Sequence, residues 1–419
     1  MTHIPLEYKD IKFFGSRNDI SLDQGNCLRE LMITKTNILG IAILLLNVST
    51  VIAEDATGVE AISSSEVIKE DESGLDLRGW ISAGANWNTS DSHTEYNGPV
   101  TFNDESNTAQ LDQAYVIAEK KVVYGGDAFS MGGRVDVMYG ADSPFTQSIG
   151  FDNNFYGTSN PKHQLAIPQA YLEANLPVGT GLSVKAGHFY TLLGYEVVTA
   201  PDNFFYSHAY SMQYGEPFTH WGALASYSLS DKVSVTAGAV RGWDNLKDES
   251  DGNLAFLGGT TVKLSDSTTA VFSLTSGNQG HNQNLTAYSL VLTHVIDDTW
   301  SYVLQHDLGS YDLGSNTAQW YSVNNYLLYE LNDLTRLGLR FEWFNDADGT
   351  RVAGLRSGSP ASESDYFGLT FGAQRKLTES VMFRPEVRYD WQTGASEDTR
   401  AFGADKDQLL VSGNVIVNF

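Results

Sequence analysis

The 419-residue chain has one cysteine, Cys27. It lies upstream of a segment that reads as a cleavable leader, so the chain after that leader has no disulfide, thiolate metal site or thiol nucleophile. Positive charge is scarce too. Lys and Arg number 26 against 51 Asp and Glu, for a formal net charge of −25 and a pI near 4.6. That balance excludes a nucleic-acid surface, which needs basic groups to displace phosphate counterions. No apolar run reaches the ~20 residues a membrane-spanning helix takes. The longest reads ILGIAILLL, residues 38–46. A mean hydropathy of −0.23 excludes a polytopic helical membrane protein. Enzyme signatures are missing as well, with no Gly-x-Ser-x-Gly, no His-Glu-x-x-His and no Gly-rich phosphate loop opening a helix. No catalytic residue, cofactor or metal ligand is assigned, although a Ser or Asp and a His meeting from separate strands would leave no such motif.

What the chain does have is aromatic residues at 12%, 39 glycines and only 18% charged residues, the composition of many strands and turns rather than of a soluble helical protein. The short apolar run has the length of a signal-peptide core. Lys35 precedes it, and Val51-Ile52-Ala53 offers a cut site. Met32 stands where such a peptide begins, so 32–53 is expected to be the signal peptide and 1–31 an over-called start or an extension. Residues 1–53 hold five basic and five acidic residues, so the remainder carries the whole negative charge. Residues 54–75, polar and acidic at first and without periodicity, read as a flexible periplasmic lead-in.

From residue 76 onward the recurring period is two, not 3.6. Thr335, Leu337, Leu339, Phe341 and Trp343 share one face, against Arg336, Gly338, Arg340 and Glu342. Val381, Phe383, Pro385, Val387, Tyr389 and Trp391 oppose Met382, Arg384, Glu386, Arg388 and Asp390. Phe129, Met131, Val135, Val137 and Tyr139 oppose Arg134 and Asp136. A soluble sheet with one wet face alternates too; the number, charge and spacing of the strands decide. Sixteen segments fit, near 76–89, 110–122, 128–140, 164–176, 182–190, 219–229, 232–243, 254–264, 267–276, 285–296, 299–308, 318–331, 333–344, 364–375, 379–391 and 407–419. Their connections alternate between short polar turns, such as Ser230-Asp231 and Asn332-Asp333, and long acidic, Gly-rich segments, such as 141–163 and 191–218. Short turns on one side and long loops on the other predict an all-β, antiparallel transmembrane β-barrel of about 16 strands over 76–419. It would have periplasmic turns, extracellular loops and both chain ends in the periplasm. Trp87, Tyr139, Trp243, Trp300, Trp343 and Trp391 sit near strand ends, as an interfacial girdle would.

The last segment, QLLVSGNVIVNF, alternates and ends on Phe419. A terminal strand of this kind looks like the signal read by the outer-membrane assembly machinery, with Phe419 its key residue. In a barrel this wide the inward charges are candidates to line the lumen: Arg134, Asp136, Arg336, Arg340, Glu342, Arg384, Glu386, Arg388 and Asp390. Mutual salt bridging is the competing reading of the same residues. The long aromatic segment 191–218 is expected to fold inward as a constriction, bringing Glu196, Asp202, Asn203, Tyr206 and His208 near the path; capping the rim or packing at a subunit interface is its alternative. The acidic stretches 345–349 and 248–252 resemble fragments of calcium loops without the full ligand spacing, and solvated surface acid is favoured.

The segments GHFYTLLGYEVV (187–198), APDNFFYSHAY (200–210), PFTHWGALASY (217–227) and GWDN (242–245), with RVDVMYGAD (134–142) and QAYLEANLP (169–177), resemble the putative β-barrel porin-2 (OmpL-like) family. The resemblance covers most of 76–419 and is densest from 134 to 245. His188, Leu192 and Trp221 depart from the family's Lys, Pro and Thr. The resemblance implies a porin of the bacterial outer membrane. Its partners would be small hydrophilic solutes or ions, outer-membrane lipid and the assembly machinery, with a homotrimer expected by analogy and a weak preference for cations. The rival readings are a secreted β-rich carbohydrate-binding or adhesin protein and a barrel-embedded hydrolase.

Overall fold

The computed structural model describes residues 74–419, except 90–94, 125–127, 157–158, 160, 248–253, 279–282, 315 and 354–361. The expected leader and nearly all of the expected lead-in lie outside the described residues.

Alternation becomes sixteen strands. In chain order they are β1 Leu75–Asn88, β2 Thr108–Lys120, β3 Ser130–Gly140, β4 Gln164–Leu176, β5 Leu182–Tyr190, β6 Thr219–Ser230, β7 Val233–Val240 and β8 Ala255–Lys263. They continue as β9 Thr268–Asn278, β10 Asn284–Val295, β11 Trp300–Asp312, β12 Thr317–Asn332, β13 Thr335–Asp346, β14 Ser364–Lys376, β15 Val381–Thr393 and β16 Asp407–Asn418. No end differs from its expected place by more than four residues. Each strand pairs antiparallel with its neighbours in sequence, and β1 pairs with β16 from Trp80↔Asn418 to Asn88↔Leu410, closing the sheet into a barrel. Closure leaves no unpaired edge, which a sheet in hydrocarbon requires. No helix among the described residues is long and apolar enough to cross a membrane; here the strands do the crossing.

Burial fixes which face points where. On β13, Leu339 and Phe341 are 41% and 40% exposed, whereas Arg340 and Glu342 are 0%. On β15, Val387 and Tyr389 are exposed while Arg388 and Asp390 are fully buried. A soluble sandwich would show the reverse, its apolar face hidden and its charges wet. Here the large side chains look out and the charges look in, as a lipid-embedded barrel demands.

Trp87, Tyr139 and Trp300 lie exposed on the outside, and Trp343 and Trp391 are half-buried on the same face. Trp243 differs from the expected girdle. β7 ends at Val240, three residues before the expected end, so Trp243 leaves the wall and packs against the inner apolar cluster, with the Arg351 guanidinium 4.8 Å above its ring.

Candidate functional site

The barrel interior is occupied by the 191–218 segment, which joins the outer ends of β5 and β6. Its root is built from the motif-dense residues. Asp244 holds a positive φ of 49° in the turn after β7. Its Oδ1 accepts from the Phe218 and Thr219 N–H groups at 3.0 and 2.7 Å and from the Thr219 hydroxyl at 3.1 Å. Burial pushes this carboxyl up to about 7, against the downward pull of those hydrogen bonds and of Arg351. His220 Nδ1 lies 2.7 Å from the Gly242 carbonyl and must donate to it, which leaves Nε2 to accept the Thr191 hydroxyl at 3.1 Å. Together Asp244 and His220 tie both ends of the loop to one turn.

From this root the loop crosses to the far wall. Arg384 Nη1 donates to the Ala200 and Asn203 carbonyls at 2.8 and 2.7 Å. Arg388 donates to the His208 carbonyl at 2.5 Å and to Asp390 at 2.8 Å. Arg340 reaches Glu196 Oε1 at 2.8 Å, the Ser207 carbonyl at 2.7 Å and Thr370 at 3.1 Å. Carboxylates on the same wall take the loop's amides: Glu386 accepts Tyr206 and Ser207 N–H, and Glu342 accepts Tyr210 N–H at 2.6 Å. Arginines on β13 and β15 thus hold carbonyls while Glu on the same strands hold amides. A loop backbone buried this deeply needs such partners, since unpaired amides and carbonyls away from water cost free energy.

Seven of the nine expected lumen charges, Asp136, Arg340, Glu342, Arg384, Glu386, Arg388 and Asp390, are buried inward-facing groups, and the six on β13 and β15 sit against the loop or one another. Arg134, 2.7 Å from Asp136, and Arg336, 2.5 Å from Glu330, keep partial exposure. Of the loop residues, Glu196 and His208 meet at 3.3 Å beside Arg340. Asn203 staples the loop to itself through Val197 and Thr199, and the Tyr206 hydroxyl donates to Asp112 on β2 at 2.9 Å. Asp202 alone of the five is exposed, and accepts the Thr199 hydroxyl at 2.5 Å.

Other residues that seat the loop were not expected. Gln113, Gln305 and Gln374 hold Val198, Tyr195 and Asn203 respectively, and Trp320 donates to the Gly215 carbonyl at 3.2 Å. Their inward parity was visible in the sequence, but neutral amides gave no reason to single them out. Gly84 and Gly338 are the other missed feature. A Cβ at either would collide with Tyr206 or Phe204 of the loop, so the missing side chains are sockets for loop aromatics.

The two acidic stretches separate. Asp346 spends its oxygens on the Thr350, Arg351 and Val352 amides, and residues 248–252 lie outside the described residues.

The family model described as "Putative beta-barrel porin-2, OmpL-like" matches residues 74–419, the entire barrel. The chain belongs to this family. It is an outer-membrane porin, a channel for passive diffusion. Solved structures agree on the fold at low identity. OmpT, an outer membrane protein of Vibrio cholerae, is similar with a TM-score of 0.53 and 11% identity, over 82% of this chain and 97% of that one. The outer membrane channel DcaP of Acinetobacter baumannii gives 0.55 and 12%, over 83% and 99%. An anion-selective porin from Comamonas acidovorans gives 0.56 and 10%, over 82% and 99%. No curated protein matches the chain by sequence. Of the three positions read from the sequence as departing from the family's pattern, His188 and Trp221 are direct cross-strand partners and stack 4.9 Å apart on the outer face, with Phe151 edge-on to both, while Leu192 packs against the inner apolar cluster.

Proposed function

We propose that the 191–218 loop is the constriction of this porin and that small hydrophilic solutes and ions diffuse past it. The observation that carries this reading is the double set of anchors, arginine to carbonyl and carboxylate to amide, that fixes the loop against β13 and β15. The inward charges then act mostly by fixing the loop. Because they are paired, they add little net field, and the acidic excess of the chain favours cations weakly. Of the expected charges, Arg134, Arg336 and Asp202 are the ones that keep some exposure.

Removing residues 200–208 should raise single-channel conductance several-fold in planar bilayers; unchanged conductance would defeat the constriction. In the same bilayers a salt gradient should give a reversal potential slightly favouring cations, and a chloride preference would contradict that part. The porin is further expected to be a homotrimer, by analogy with the trimer form of Vibrio cholerae OmpT. Sedimentation of the detergent-solubilised protein checks the subunit number.

A further inference from the structure

The charges are distributed unevenly around the barrel. β6 to β10 contain a single Lys, Lys263 at the periplasmic end of β8, and no Arg, Asp or Glu. β13 and β15 carry four Asp, Glu or Arg residues each. The loop is correspondingly two-sided. Toward β13 and β15 it is tied by charge-assisted hydrogen bonds. Toward β6–β10 its Leu193 joins an apolar cluster with Leu224, Val240, Leu257 and Leu285, and Leu192 packs against that cluster.

The register places Leu224 opposite Gly238, Gly238 opposite Leu257, Ser226 opposite Thr236 and Thr236 opposite Gly259. Below the leucines on the same inward face, toward the periplasm, lie Ser226, Thr236 and Thr261, half-buried and uncharged. Ser226 and Thr236 are within hydrogen-bond distance of each other at 2.8 Å. Buried, charge-assisted anchors are the strong contacts of the two sides. An apolar contact has no directional bond to break, and it bars hydrated ions more than neutral molecules, because an ion must shed tightly held water to pass.

Resting on the porin reading above, we propose that solutes cross along the β6–β8 wall. They pass the apolar shoulder at Leu192 and Leu193, and this hydroxyl-lined wall, not the arginine–carboxylate anchors, selects small neutral hydroxylated solutes over ions. Ser and Thr hydroxyls both donate and accept, so they exchange hydrogen bonds with a sugar or polyol without adding charge.

The described barrel has no cysteine, so single thiols report position cleanly. Thr236→Cys, Thr261→Cys and, as comparator, Thr370→Cys (fully buried beneath the loop) would be reconstituted in bilayers and treated with a negatively charged methanethiosulfonate. Modification at 236 and 261 should cut the current by about half or more, while 370 stays unreactive. Unreactive thiols at 236 and 261, modification there without a change in current, or block at 370 alone would each overturn the proposal. Ser226→Cys replaces either wall variant that fails to fold, judged by heat-modifiable gel mobility. Proteoliposomes of the unmodified porin should swell several-fold faster in glucose than in potassium gluconate, and equal rates would refute the preference for neutral solutes. A porin that conducts no ions and admits no sugar would instead defeat the channel reading itself.

Discussion

At the scale of single residues, the interior works by matching a missing side chain to an aromatic ring. Gly84 on β1 faces Tyr206, whose hydroxyl is held by Asp112 on the neighbouring strand. Gly84→Ala puts a methyl inside the van der Waals radius of that ring. Overpacking of this kind costs about 1–3 kcal/mol, and here the strain can be released only by expelling Tyr206. The expected outcome is a lower unfolding midpoint in urea and noisier open-channel current. Removing the ring as well should relieve the clash, so Gly84→Ala with Tyr206→Ala should be less unstable than the sum of the two single changes. Additive losses would show that Gly84 serves the strand and not the loop. Much of this scale was hidden in the sequence. Arg340 and Arg388 announce an inward face by alternation, but the carbonyls of Ser207 and His208 that they hold lie more than a hundred residues away, and alternation does not report what fills a barrel.

At the scale of elements, the strands were legible because period two is a local property set by the pleat. The loop was legible only by its length and its aromatic residues. Its root, by contrast, includes a carboxyl whose protonation the fold shifts. Asp244 receives the Phe218 and Thr219 amides and is raised by burial to about 7. Its ordinary value is about 4, so the folded state binds the proton more tightly than the unfolded one. The stability this proton adds is fully present below pH ~4 and is lost as the pH rises through about 7. Thermal unfolding of the detergent-solubilised barrel at pH 5 and pH 8 should therefore show a component favouring pH 5 that Asp244→Asn removes. The asparagine keeps the carbonyl acceptor for both amides but cannot titrate. Equal pH dependence in the two proteins would mean that Asp244 is ionised in the fold throughout that range.

At the scale of the whole molecule, everything rests on closing β16 onto β1, the pairing with the longest separation in sequence and so the largest loop-closure entropy to overcome. Phe419 finishes that seam. Its N–H donates to the Gly79 carbonyl at 3.0 Å, its carbonyl accepts the Gly79 N–H at 2.9 Å, and its ring lies over Gly79 with most of its surface exposed. Phe419→Ala keeps both backbone bonds and the nine register pairs from Trp80↔Asn418 to Asn88↔Leu410, so the barrel refolded in detergent should lose little stability. An exposed ring that adds little to the finished fold is, however, well placed to be read by another protein before closure. The expectation is thus a split result. Phe419→Ala should refold in detergent to heat-modifiable barrel almost as well as the parent, yet accumulate unfolded in the periplasm of cells and reach the outer membrane at a fraction of the normal level. Equal losses in detergent and in cells would make the ring a structural clamp on Gly79, and no loss in either would remove its role in assembly.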